Sequence, residues 1–186
     1  TGVDLFRVFD SLNWAENMKI AIAAVLENER ICEGTICYTG DILNPARSKY
    51  DLDYYVELAL DLKSQGIHIL GLKDMAGLLK PAAARLLVRE LKVATGLPVH
   101  LHTHDTSGIS AATLFAASEA GVDIVDTAMD ALSGTTSQPC LGSLVEAMKF
   151  SSRDTGLDSY AVREVSRYWQ TVRSQYAAFE TENKAP

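Results

Sequence analysis

The sequence lacks the glycine-rich turns that cradle phosphates. Neither a GxGxxG turn nor a P-loop occurs in its 186 residues, which removes the usual dinucleotide and nucleotide signatures. Cysteine is scarce. Cys32, Cys37 and Cys140 form an odd, sparse set that builds no disulfide framework and fits a reducing compartment. No apolar run approaches the roughly 18 residues of a membrane span. Basic side chains are outnumbered, 17 against 24, and the net charge of -7 disfavours binding to a phosphate backbone. No block of like charge is present and hydrophobic residues make up 47%, so disorder is not expected. The chain opens Thr1-Gly2-Val3-Asp4, without Met and without a basic leader. It reads as the middle of something longer, with no signal peptide.

What is present is a rhythm. Five short apolar, β-branched or aromatic runs lie at residues 5–9, 35–38, 67–72, 99–102 and 122–125, with starts 30, 32, 32 and 23 residues apart. Helical patterns fill the gaps. Met18, Ile22, Val25 and Leu26 share a face after Asn13. Asp51 or Asp53 is placed to cap a helix over 54–64 that stops at Gly66. Pro81 suits a first helical turn, and the helix it opens ends at Gly96. Further helices are predicted over 109–120, 136–149 and 160–180.

Strand–helix alternation implies a parallel sheet with crossover helices. An open doubly wound sheet and a (β/α)8 TIM barrel both fit. The barrel is favoured because polar residues gather where the strands end: Asp10, Tyr38-Thr39, Lys73-Asp74, His102 with His104 and Asp105, and Asp126 with Asp130. In a barrel those ends share one chemical face. A whole barrel takes about 250 residues. The fold class expected is therefore the latter part of a TIM barrel, about five βα units over residues 1–150. The start of a C-terminal helical extension follows over 151–186.

The strongest local signal is His100-Leu101-His102-Thr103-His104-Asp105. Alternation along a strand turns the three imidazoles to one side, and neutral imidazoles ligate Zn, Mn or Fe. His102 and His104 are better placed at the strand end than His100, which lies deeper among packed layers. His68 is isolated and reads as structural. Lys73 ends the third strand. It fits a Schiff-base nucleophile, a phosphate contact, an ion pair with Asp74, or a metal ligand after carboxylation. Asp10, Asp105, Asp126 and Asp130 are candidates to ligate or to steady the histidines from behind, with Asp10 and Asp105 the two selected. Cys32 and Cys37 read as core packing, and Arg47-Ser48-Lys49 as a solvated loop.

These residues fall into longer runs. They are Phe6-Arg7-Val8-Phe9-Asp10-Ser11-Leu12-Asn13, Cys37-Tyr38-Thr39-Gly40-Asp41, Lys73-Asp74-Met75-Ala76-Gly77-Leu78-Leu79-Lys80-Pro81 and His102-Thr103-His104-Asp105-Thr106-Ser107-Gly108. Together with the tail through Tyr168-Trp169 and Gln175-Tyr176-Ala177-Ala178-Phe179-Glu180, they resemble the carboxyltransferase domain of the pyruvate carboxylase family over nearly the whole chain. The resemblance implies that Lys73 is the carboxylated lysine and that His102 and His104 are the metal-binding histidines, with Zn or Mn as the ion. The family's fourth ligand has no counterpart in this stretch. It further implies transfer of CO2 from carboxybiotin to the enolate of pyruvate, giving oxaloacetate.

Biotin would come on a carrier domain, and ATP and bicarbonate would be used by a biotin carboxylase domain of the same polypeptide. A homotetramer is implied, with no nucleic-acid or membrane partner. The location implied is cytoplasmic for a bacterium and the mitochondrial matrix for an animal. Oxaloacetate decarboxylase α-subunits and a transcarboxylase subunit share the Lys-Asp-Met-Ala-Gly run and the paired histidines, and form the alternative. Acyl-CoA lyases and synthases share a metal and histidines but need no carboxylated lysine. A segment inactive alone, serving as a structural piece and prone to aggregate, is the non-enzyme alternative.

Overall fold

The computed structural model describes residues 2–180. Five parallel strands, β1 (Leu5–Phe9), β2 (Ile31–Cys37), β3 (Ile69–Asp74), β4 (Val99–Thr103) and β5 (Ile124–Val125), form one sheet in the order 1-2-3-4-5. Every strand pairs with its neighbour in sequence. A doubly wound sheet reverses its strand order at a switch point, and none occurs here, so the open alternative falls away. Helices α1 (Ala15–Glu27), α2 (Leu52–Ser64), α3 (Pro81–Thr95) and α4 (Ser110–Glu119) cross between the strands.

The predicted punctuation holds at three ends. Asp51 accepts a hydrogen bond from the Tyr54 amide at 2.9 Å and so caps α2. Pro81 opens α3, and Gly96, at φ 67°, closes it in the left-handed conformation that costs glycine nothing.

The side chains of the sheet divide by parity. Cys32, Ile36, Leu70, Leu72, Val99 and Leu101 are completely buried in a cluster with Met18 and Ile22 of α1, Tyr55, Ala59 and Leu62 of α2, Leu87 and Leu91 of α3 and Leu114 of α4. The register aligns the other set in rows: Arg7 with Glu33, Thr35 with Gly71, Gly71 with His100, and Cys37 with Lys73 and His102. That face carries the polar chemistry.

Two predicted helices differ. The helix expected over 136–149 is confined to α5 (Leu141–Met148). Proline disfavours the helical conformation in the residue before it, and Pro139 lies in an extended stretch. Its carbonyl accepts from the Ala128 amide at 2.9 Å, the Leu141 amide donates to Ala128, and Cys140 makes a parallel bridge to Ala128. The last helix, α6, runs Ser159–Gln175 with Asp158 as its cap, and a 3-10 turn at Ala177–Phe179 replaces its expected end. β2 starts four residues before the predicted run, because Glu33 and Gly34 interrupt the apolar pattern. Residues 181–186 of the predicted extension lie outside the described residues.

Candidate metal centre

The C-terminal ends of β3 and β4 bring Lys73, His102 and His104 together. Lys73 and His102 are register partners across the parallel pair, so their side chains leave the sheet on the same face. The Lys73 ammonium rests over the Phe9 ring, 3.7 Å from its centroid. No ion pair forms with Asp74, whose side chain leaves on the opposite face. There Asp74 is fully buried and accepts from the amides of Leu78 and Leu79, both at 2.9 Å, and from the Thr103 hydroxyl at 3.0 Å. Asp74 is thus the staple of the loop after β3.

The two histidines present nitrogens to each other. Nε2 of His102 and Nε2 of His104 lie 3.1 Å apart. Their other nitrogens have fixed partners. Nδ1 of His104 is 2.6 Å from the Thr136 carbonyl oxygen, and Nδ1 of His102 is 2.7 Å from the Asp126 carboxylate. A carbonyl and a carboxylate accept only, so each Nδ1 carries the proton. With both rings neutral, both Nε2 atoms are then lone pairs pointing at one another. Two acceptors at this distance repel unless a cation lies between them. Two imidazole nitrogens bound tetrahedrally to Zn at 2.0–2.1 Å stand about 3.3 Å apart, close to the spacing found. The pair fits a divalent metal. Among the described residues no cluster of three or more His, Cys, Asp or Glu side chains is arranged to hold an ion, so a third donor drawn from these residues has to be of another kind.

Asp10 and Asp105, selected from the sequence to steady the histidines, serve their own loops. Asp10 accepts from the amides of Leu12 and Trp14 and from Asn17, and those hydrogen bonds hold its carboxyl below the usual range. Asp105 accepts from the Ser110 amide at the start of α4. Asp130 accepts from the Gly142 amide. Short aspartates just past a strand end find free loop amides before they find an imidazole. Asp126 is the one that reaches the histidines.

Beneath the pair lies a charged layer. His100 is buried, with Nδ1 3.0 Å from Glu33 and Nε2 2.8 Å from Asp126. Burial works against its charge, but the hydrogen bonds to Asp126 and Glu33 win and push it up to about 9. Arg7 binds Glu33 through Nε at 2.8 Å and Asp126 through its terminal nitrogens at 3.2 Å. Its Nη2 also lies 3.0 and 3.2 Å from the two ring nitrogens of His100. The two carboxylates offset that approach of like charges. Burial would raise Asp126 and Glu33; hydrogen bonds from the histidines and the Arg7 guanidinium hold both below the usual carboxylate range. Two cations and two anions balance.

Sequence reading did not single out Arg7, Glu33 or Thr136. A charged residue in the middle of Leu5-Phe6-Arg7-Val8-Phe9 is a signal for the first. Cys32 is buried in the helix-facing core as expected, whereas Cys37, also buried, lies on the other face in the row of Lys73, its thiol 3.6 Å from the Asp10 carbonyl oxygen, because its position in β2 has the opposite parity. His68 accepts from the Cys32 amide at 3.0 Å, a structural bond. Arg47 and Lys49 are exposed.

Comparison with known proteins bears on what this arrangement is. The HMGL-like family matches residues 17–168. The chain belongs to that family. Curated relatives of this HMGL-like chain include the pyruvate carboxylase of Staphylococcus aureus, 55% identical over the whole chain and 16% of the relative. The mitochondrial pyruvate carboxylase of Mus musculus is 48% identical over 96% of the chain and 15% of the relative. The chain therefore spans about a sixth of the length of these relatives. The solved carboxyl transferase domain of Rhizobium etli pyruvate carboxylase, with pyruvate and biocytin, superposes with a TM-score of 0.98 at 64% identity. All of this chain and 31% of that one are covered. The five-stranded sheet is accordingly a partial TIM barrel of the HMGL-like family, similar to part of a carboxyltransferase domain.

Proposed function

We propose that this chain is the metal-holding segment of the carboxyltransferase domain of a biotin-dependent pyruvate carboxylase. The observation that carries the reading is the pair of imidazole lone pairs facing each other at 3.1 Å, beside a lysine in register. His102 and His104 supply two neutral nitrogen donors. Lys73, once carboxylated, supplies an anionic oxygen, the donor of another kind that the histidine pair lacks. As a free ammonium it is a poor ligand, and its place over Phe9 suits the uncarboxylated form. The ion is Zn or Mn, both of which accept imidazole.

The reaction is transfer of a carboxyl group from carboxybiotin to the methyl carbon of pyruvate, giving oxaloacetate: the N–carboxyl bond of carboxybiotin breaks, the new C–C bond replaces one methyl C–H bond, and the methyl proton passes to the ureido group left on biotin. The cation, when bound, supplies positive charge to the oxygen that becomes enolate, which makes the methyl proton easier to remove. The chain's own residues do the rest of what falls to this segment. Both Nδ1 hydrogen bonds orient the imidazoles. Asp74 shapes the loop after β3 so that Lys73 stays at the mouth. The sheet walls the site on one side against water, which would otherwise protonate an enolate. The biotin carrier and the ATP- and bicarbonate-using biotin carboxylase belong to other domains of the same polypeptide, and the whole assembles as a homotetramer. The location is cytoplasmic in a bacterium and the mitochondrial matrix in an animal, where the mouse relative's name also places that protein.

The test uses the full-length enzyme, with and without avidin, as wild type and Lys73→Ala. ATP- and bicarbonate-dependent oxaloacetate formation that avidin blocks and Lys73→Ala abolishes is expected. Avidin-sensitive oxaloacetate breakdown without ATP-dependent carboxylation would replace the reading by a decarboxylase. Full activity in Lys73→Ala would remove Lys73 from the metal site.

A further inference from the structure

We infer that Asp126 is the positioning residue for His102, held in place by Arg7 and by a His100 that is itself clamped by Glu33. The inference rests on the metal reading above and adds to it the device that aims one ligand. His102 has two chemically different nitrogens, and only the tautomer with the proton on Nδ1 offers Nε2 to an ion. The Asp126 carboxylate selects that tautomer by accepting at 2.7 Å. Metal-bound histidines generally need such a partner.

What is particular here is how the partner is held. Oδ1 of Asp126 accepts from His100 at 2.8 Å. Oδ2 takes His102 and, at 3.2 Å, both terminal nitrogens of Arg7. A carboxylate can accept all of these, and an amide cannot, because half of it donates. β5 is only two residues long, and the Asp126 amide just beyond it keeps one bond to the sheet, to the Leu101 carbonyl at 3.1 Å, which holds the backbone but leaves the carboxylate free to turn. The side-chain bonds therefore do the fixing. The layer also needs empty space. A Cβ at Gly71 would come within 2.6 Å of the Glu33 carboxylate and 2.2 Å of the Thr35 hydroxyl. Glycine at this position on β3 leaves the gap through which Glu33 reaches across to His100.

The experiment compares full-length wild type with Asp126→Asn and His102→Ala. Zn and Mn affinities are read by competition with a chromophoric chelator, and the melting of the metal-free enzymes is recorded alongside. The expected result is at least a 10-fold loss of affinity in Asp126→Asn, within the range typical of a lost imidazole partner, alongside lower metal-free melting from the lost pairing with Arg7 and His100. A purely structural role would move the melting and not the affinity, and that result overturns the inference. Affinity that falls in His102→Ala but stays intact in Asp126→Asn overturns the inference alone. Affinity indifferent to His102→Ala overturns the metal reading and the inference with it. If Asp126→Asn gives no folded enzyme, Arg7→Lys decides by the same competition. It keeps the charge but not the paired bonds to Asp126, so weaker metal binding supports the inference and unchanged binding overturns it.

Discussion

The two faces of the sheet are made by the same five strands and could hardly differ more. On the helix side, Leu70, Leu72, Val99 and Leu101 are sealed from water among the aliphatic residues of four helices. On the other side, Arg7, Glu33, His100 and Asp126 pair their charges, with Lys73, His102 and His104 above them. The helix side is non-directional: any apolar side chain of the right volume contributes by leaving water. The interior side is directional, and each polar atom is useful only if its partner stands at a set distance. One face holds the fold together and the other aims donors, and neighbouring residues of one strand serve both.

Substitutions that set one face against the other should separate these roles. Leu101→Ala removes a fully buried side chain and should cost about 2–5 kcal/mol. Hydrogen exchange of the β4 peptide in the full-length enzyme reads the loss. Metal affinity, measured on the fraction that remains folded, should hold. Glu33→Gln should do the reverse. It costs less, about 1–3 kcal/mol for a buried polar network left partly unmatched, but it weakens the hold on His100 and should lower metal affinity. An unchanged chelator competition in Glu33→Gln would show that the layer is only structural.

Acidity gives a milder probe. The His100 imidazolium lies above its ordinary value, at about 9, so its contribution to stability is complete below about pH 6.5 and fades as the pH rises through about 9. The slope is at most about 1.4 kcal/mol per pH unit. Asp126 and Glu33 are held low, so their contribution is present above the ordinary carboxylate range and fades only in stronger acid. Protection of β2 and β4, corrected for the intrinsic exchange rate, should therefore decline on the alkaline side. A flat profile there would sever His100 from the two carboxylates. Smallest of all, Lys80→Ala breaks an exposed ion pair with Asp41 and should move stability by less than about 1 kcal/mol.

Much of the helix-facing side was legible in the sequence, because the hydrophobic effect writes itself as periodicity. The five runs, the Asp51 cap, Pro81 and Gly96 all follow from local rules. His102 and His104 were legible for the same reason, since alternation in a strand is a local fact. Lys73 could be placed at a strand end, but its side-chain partner could not be read from spacing. The partners of the histidines were harder. Asp126 is 24 residues from His102, and Arg7 is 119 from Asp126. Nothing near a given aspartate in the sequence says whether a loop amide or an imidazole will reach it first, so spacing alone does not separate Asp126 from Asp10 and Asp105. The predicted helix over 136–149 lost its first turn to Pro139 and to pairing with Ala128, a contact across the fold.

That lost turn bears on how the site can change over generations. His104 takes its orientation from the carbonyl of Thr136, an atom every amino acid carries, so side-chain replacement at position 136 leaves the acceptor in place. His102 depends on a carboxylate that a single codon change can erase. The two halves of the pair therefore differ in evolvability. A side-chain change at position 136 that keeps the chain path should leave His104 aimed, whereas a change at Asp126 should not leave His102 so.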